Sequence, residues 1–319
     1  MLPYPDIPYG PAPVWCFPVF EIGTFALLAL CLGHSLRRHP ESVPYIVGGF
    51  VFGVLLEYME VASHSYIYGR FFLMVGRPPL NVPLCIGAGW GIILYTSRLF
   101  SDAMRLPLLA AAAFDTLLAL NIDLSMDVVA YRLHMWHWFW KDAHLSLTSQ
   151  WFGIPYGNFN GWVTVVFCYS AFSRIFERSL TRRDPGTIRK RGLVAILALL
   201  CSLATLFGTE SYLYPFLIRY LGITSGIRLS LIVAILLVLA GLGWRRRRLP
   251  TAPLPPIALW VPCWFHFFFA FCFFALGFFH ENRWMTSAGL VNIFLGIAIH
   301  SAPYRAGGRP WPRSPARAG

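Results

Sequence analysis

The chain reads as long apolar blocks separated by short polar stretches. Nine blocks can be drawn, at about 15–36, 44–63, 82–100, 106–130, 160–177, 192–208, 227–244, 258–279 and 286–301. Crossing the hydrocarbon core of a bilayer takes about 20 residues of helix, and each block is of that order. In lipid only a helix or a closed barrel satisfies its own backbone. The pattern therefore predicts an all-α fold, a polytopic integral membrane bundle of about nine transmembrane helices. The sixth and ninth blocks carry the weakest patterns. Residues 209–221 either extend the sixth or form a re-entrant piece. No internal repeat is apparent, and no soluble domain boundary.

Composition agrees with the pattern. Of 319 residues, 57% are hydrophobic and 13% charged, against about 25% charged in a soluble domain. The net charge of +12 would suggest nucleic acid in a soluble protein. Here the basic residues sit between apolar blocks, as topology signals and contacts to anionic lipid do, so no nucleic-acid partner is expected. The seven cysteines form no CxxC pair and read as small buried hydrophobes. The Pro-rich first fifteen residues carry no Lys or Arg. They lack the positive start of a signal peptide, so the first block is expected to stay as a membrane helix.

Under nine spans, alternate loops hold nineteen of the 26 basic residues and the other side seven. The positive-inside rule then predicts a multi-pass protein of the cell's inner (plasma) membrane, N-terminus outside and C-terminus cytoplasmic. The Arg-rich loop at 178–191 is the candidate seam between a five-span region (1–177) and a four-span region (178–302). Residues 303–319, rich in Pro, Gly and Arg, are expected to form a disordered basic tail.

The 14 carboxylates change the picture most. A charge at the centre of a membrane helix costs about 2.5–3.5 kcal/mol on insertion scales, so acids there are functional candidates. Asp115, Asp123 and Asp127 fall eight and four residues apart, on one face of the fourth span. Asp115 lies about 15 Å in at 1.5 Å per residue. Glu57, Glu60 and His64 fall at i, i+3 and i+7 on the second span. Glu210, His280 and Glu281 end other spans on the same predicted outer side. The bland alternatives are inter-helix hydrogen bonding for the aspartates and Glu57 and Glu60, and ordinary interfacial positions for the rest. His134, His137 and His144 surround Trp136, Trp138, Phe139 and Trp140. An interfacial aromatic belt explains the aromatics, and the histidine spacing has no metal signature.

Three segments carry a family resemblance. The first is Glu57 with Tyr66–Phe71, Asn81-Val82-Pro83-Leu84 and Trp90. The second is Asp115, Asp123-Leu124-Ser125-Met126-Asp127 and Trp136-His137-Trp138. The third is Phe152–Phe159 with Gly161-Trp162. In order and rough spacing they resemble the integral-membrane carotenoid biosynthesis protein family, which includes hydratases of γ-carotene-type and bisanhydrobacterioruberin-type polyenes. The segments span about residues 50–175. Where the family usually has Pro after the second aspartate, this chain has Val128.

The resemblance implies a hydro-lyase that adds water to a terminal isoprenoid double bond of a lipophilic polyene. An unactivated alkene must be protonated by a strong acid, and a carboxyl in a low-dielectric site can stay protonated for that task. A second carboxylate and aromatic faces can stabilise the resulting cation. On this reading Asp123 or Asp127 is the general acid, and Asp115 or Glu57 its partner. Asn158 and His64 help hold the water, and Trp90, Trp136 and Trp162 line the end-group pocket. Hydration is redox-neutral, so no cofactor and no metal are expected. Two other readings stay open: a membrane terpene cyclase or prenyltransferase, and a non-catalytic lipid-binding protein or proton-coupled transporter.

Overall fold

The computed structural model describes residues 9–139, 149–181, 188–247 and 254–305. The expected N-terminal Pro-rich stretch up to residue 8, His144, Trp140 and the tail beyond 305 lie outside them. Among the described residues the architecture is an all-α bundle. Its long helices are α1 (Cys16–Arg38), α2 (Val43–Ala62), α3 (Leu84–Ala103), α4 (Leu108–Arg132), α5 (Tyr156–Thr181) and α6 (Ile188–Gly208). A short α7 (Tyr214–Leu221) follows, then α8 (Ser225–Arg245), α9 (Ile257–Ala275) and α10 (Arg283–Arg305).

Eight segments are long and apolar enough to cross a membrane, with α6 and α7 forming one of them, Ile188–Leu221. Residues 209–221 therefore extend the sixth span. A π-helical turn at Thr209–Leu213 joins the two pieces. Gly222, at φ 64°, closes α7, with Ile223 N–H bonding the Leu217 carbonyl at 3.1 Å. The long helix outside the eight is α5, at 26 residues. Its Asn158, Asn160, Ser170, Ser173 and Arg174 lower its hydropathy, and its neighbours α4, α6 and α8 cover it. The Arg-rich connection is shorter than the pattern suggested, because α5 runs to Thr181 and α6 starts at Ile188. α10 likewise runs to Arg305, past the expected start of the tail.

α4 is the central helix and packs against α3, α5, α8, α9 and α10. α2 and α3 approach closely through Gly49, Gly53, Gly87 and Gly91, the small-xxx-small spacing that lets membrane helices meet. A Cβ on Gly91 would stand 2.9 Å from the Ile46 carbonyl oxygen, and one on Gly53 would stand 2.5 Å from the Trp90 side chain. The outward faces of α8 and α10 expose Ile235, Val238, Val291 and Phe294, as a lipid-facing surface does.

Short strands, which the helical pattern did not announce, cap one end of the bundle. β1 (Tyr66–Tyr68) pairs antiparallel with β4 (Trp136–Trp138), in the register Tyr66 to Trp138, Ile67 to His137 and Tyr68 to Trp136. β2 (Met74–Arg77) and β3 (Leu80–Pro83) form a hairpin between β1 and α3. Because β1 follows α2 and β4 follows α4, those two helices finish at the same end.

This pairing exposes a local repeat that residue identities conceal. α2 ends with Ser63 N–H bonding Met59 O, His64 N–H bonding Val61 O and Ser65 N–H bonding Glu60 O. Seventy residues on, Leu133 bonds Val129, His134 bonds Tyr131 and Met135 bonds Ala130. His64 and His134 both sit in the left-handed region, at φ 61° and 56°. The cross-bonds Gly69 N–H to Met135 O and Phe139 N–H to Ser65 O complete a two-fold relation. Glu57 and Asp127 occupy equivalent places in the two units.

The strand-bearing end is locked by a buried charge at the end of α4. Arg132 is fully buried, and its Nε and Nη2 meet Glu281 at 2.7 and 2.5 Å. Its Nη1 donates to the Val128 and Phe152 carbonyls, and Tyr9 donates to Glu281 at 2.8 Å. One guanidinium thus joins α4, the 149–155 connection, the α9–α10 turn and the N-terminal segment. Removing one partner of a buried pair costs about 3–5 kcal/mol. Arg132→Met is expected to lower unfolding free energy by that amount, read from denaturant titration in detergent. Unchanged stability would refute the lock.

Candidate active site

Beneath the β1–β4 ribbon lies a small cavity of about 50 Å³. α1, α2, α3, α4, α5 and α9 wall it, and Tyr66, Tyr68, Trp136 and Trp138 of the ribbon close it above. Period-two alternation explains the ribbon: in Tyr-Ile-Tyr and Trp-His-Trp the first and third side chains share a face, and all four aromatics line the cavity. Trp90 and Trp162 stack across it, with ring centres 4.1 Å apart. Glu57, Asp127 and Asn158 supply its polar wall, and among the described residues no Lys, Arg or His lines it.

Glu57 is the acid of the cavity with the most donors. Tyr66 and Tyr68 both donate their hydroxyls to its Oε2, and Trp90 Nε1 donates to Oε1 at 2.7 Å. The phenols stay protonated donors: burial, and then the nearby Glu57 charge, hold both well above the ordinary tyrosine range. Gly53, one turn before Glu57, leaves the room in which Trp90 reaches the carboxylate.

Asp123 and Asp127, one turn apart on α4, share a single donor. Asn158 Nδ2 lies 3.0 Å from Asp123 Oδ2 and 2.5 Å from Asp127 Oδ2. Asp123 Oδ1 is buried with no hydrogen-bond partner. Asn158 owes its position to the connection before α5. There Gln150 Oε1 accepts the Tyr156 N–H at 2.6 Å, and Trp151 Nε1 donates to the Leu124 carbonyl at 2.8 Å. Left-handed backbone at Gln150, Phe152 and Gly153 bends the chain back onto α4.

The structure thus gathers Glu57, Asp127, Asn158, Trp90, Trp136 and Trp162 around one cavity, with Asp123 joined through Asn158. It does not bring in Asp115 or His64. Asp115 lies near the opposite end of α4, where Arg174 Nη1 meets its Oδ2 at 2.8 Å and Ser170 donates at 2.7 Å. Arg174 also holds Asp102 at 2.8 Å, and Arg98, Glu177 and Arg191 continue the ionic cluster. Asp115 shares a helical stripe with Asp123, but two turns of rise separate them. His64 is exposed, because α2 ends at Ala62 and the left-handed turn takes residue 64 off the helical face. Glu60 is half-buried outside the cavity, Glu210 and His280 are exposed, and Glu281 serves Arg132. His134 and His137 stack on each other at 5.6 Å, away from the cavity. Burial, reinforced by His134, pulls the His137 imidazole down to about 4, so it is neutral at ordinary pH.

The sequence pattern gave no role to Tyr66, Tyr68, Trp138, Arg174 or Glu21. Glu21, buried on α1, accepts the backbone N–H groups of Phe72 and Leu73 at 2.6 and 3.0 Å and anchors the hairpin. The seven cysteines are all unpaired. Among the described residues no group of three or more His, Cys, Asp or Glu is arranged to hold a metal ion.

Fold and site together define a polytopic membrane protein with an aromatic, acid-bearing cavity near one end of its helices. The model of the carotenoid biosynthesis protein family matches residues 19–237, more than half of the chain, and the chain belongs to that family. The match reaches from α1 into α8, well beyond the segments that carried the resemblance. No curated protein and no solved structure matches the chain at a significant level.

Hydrogen bonds to a charged group contribute about 1.5–3 kcal/mol each. Tyr66→Phe and Tyr68→Phe are each expected to destabilise the folded protein in that range, with the double variant losing less than the sum because the two share one oxygen. Paired unfolding titrations would show it. Strict additivity would mean that the phenols do not share Glu57.

Proposed function

We propose that the protein hydrates a terminal isoprenoid double bond of a carotenoid-type polyene. The observation that carries this reading is the cavity's charge inventory: two carboxyl positions, Glu57 and the Asp123–Asp127 pair, in an aromatic wall that no cation among the described residues lines. Glu57 faces three donors and no acceptor, so it is assigned as the anion. Asp123 and Asp127 face one amide between them. With no basic group among the described lining residues, one proton held by the pair relieves the repulsion of two adjacent carboxylates.

In the proposed reaction Asp127 gives that proton to the CH carbon of the terminal double bond, which takes it with the π electrons and leaves the charge on the carbon bearing the two methyl groups. A tertiary cation results. The Glu57 carboxylate and the stacked Trp90–Trp162 faces stabilise it by charge and cation–π attraction. A water lone pair forms the new C–O bond, and the surplus water proton returns to the aspartate pair, with Asn158 holding both carboxyls in place. No redox step arises. Asp115 is assigned to the ionic cluster at the far end rather than to chemistry. The orientation from loop charge would set the cavity in the outer half of the membrane.

The test is expression in a carotenoid-producing host with lycopene- and γ-carotene-type substrates, products read by mass spectrometry. Wild type is expected to add one water. Asp127→Asn is expected to lower the yield at least about a hundredfold, within the range of general-acid contributions. Asp115→Asn should keep product formation per folded protein while lowering stability. An isomer of unchanged mass would replace hydration with cyclisation. No product from either polyene, with folded protein present, would overturn the assignment.

A further inference from the structure

The two-fold relation between the helix–turn–strand units makes their differences informative. At the third strand position, unit one has Tyr68 and unit two Trp138. Tyr68 spends its donor on Glu57. Trp138 is 7% exposed and lines the same cavity, yet its indole Nε1–H has no hydrogen-bond partner. A buried unpaired donor costs about 1–3 kcal/mol. Trp151, Trp90 and Trp264 all find acceptors for theirs.

We propose that the Trp138 N–H holds the oxygen of the attacking water. This rests on the hydration reading above and adds the residue that positions the nucleophile. The Trp138 ring packs edge-on against Tyr66, centres 4.5 Å apart, and Tyr66 bonds Glu57. Trp138 is therefore one ring away from the carboxylate. An ionised carboxylate offers about four lone-pair directions, and Glu57 uses three, for Tyr66, Tyr68 and Trp90. The fourth accepts an O–H from the same water. The water oxygen then takes the indole N–H on one lone pair and keeps the other for the cation. After the C–O bond forms, the oxonium proton passes to the aspartate pair, which restores the starting acid.

The prediction separates proton delivery from water capture. A cation that is formed but not captured loses a proton from the carbon that has just been protonated and reverts to the starting alkene. In D2O that reversal leaves deuterium in recovered lycopene. Membranes carrying the protein are incubated with lycopene in D2O, and alcohol formed and deuterium in recovered polyene are both measured. Trp138→Phe keeps a ring and removes the donor. It is expected to raise the ratio of exchange to alcohol about tenfold, the effect of one lost hydrogen bond on the capture barrier. Where Trp138→Phe does not accumulate, benzothienylalanine at position 138 keeps the bicyclic shape with sulfur for N–H, and the same rise is expected. If exchange and alcohol fall in equal proportion in a folded variant, Trp138 is only wall and the inference fails. If Asp127→Asn retains wild-type exchange, the acid assignment fails instead, whatever Trp138 does.

Discussion

A carboxyl group carried into a membrane leaves its water behind, and protein must then supply donors, a cation or a proton. Much of this structure follows from how each acid is answered. Glu21 takes two backbone N–H groups and fixes the hairpin. Asp115 takes Arg174, which ties α4 to α5 and reaches Asp102 at the end of α3. Glu281 takes Arg132 and closes the strand-bearing end. Glu57 takes two phenols and an indole, which pull the ribbon and α3 toward α2. Each partnership joins elements far apart in the chain.

Against that background the Asp123–Asp127 pair stands apart. It has one shared amide, and Asp123 keeps an oxygen without a partner. Two carboxyls that share one donor, beside a carboxylate with three, form the asymmetry that acid chemistry needs. The asymmetry sits on a scaffold that is locally two-fold. Glu57 and Asp127 hold equivalent places, and the strand above each sets the difference: tyrosines in one unit, tryptophans in the other. Phenols reach and bond the first acid, whereas among the described residues the indoles of the second unit do not bond the second.

The two ends of the bundle divide the work. The end with Arg98, Arg174 and Arg191 is a closed ionic cluster in which every acid faces a cation. The strand-bearing end keeps its cation, Arg132, turned away from the cavity and bound to Glu281. The cavity thereby keeps acids without a neutralising base. The same division explains why Asp115, on the same helix as the pair, belongs to a different environment.

The sequence by itself determined the class of fold, because apolar block length against bilayer thickness is a local property that needs no partner. It also exposed the family resemblance and the residues Glu57, Asp123, Asp127, Trp90, Asn158 and Trp162, since intramembrane polar residues are rare enough to be conspicuous. The Tyr-Ile-Tyr and Trp-His-Trp segments entered the sequence reading only as motifs and an aromatic belt, and their pairing as strands across 70 residues was not legible. Helical projection carried His64 and Asp115 into the candidate site. It assumes an unbroken helix for one, and ignores rise along the axis for the other. Which acid meets a cation, which meets a phenol and which is left with a shared amide was decided only by tertiary structure. Hydrogen-bond partners are set by distances of about 3 Å between side chains on different elements, and no spacing along one chain contains them.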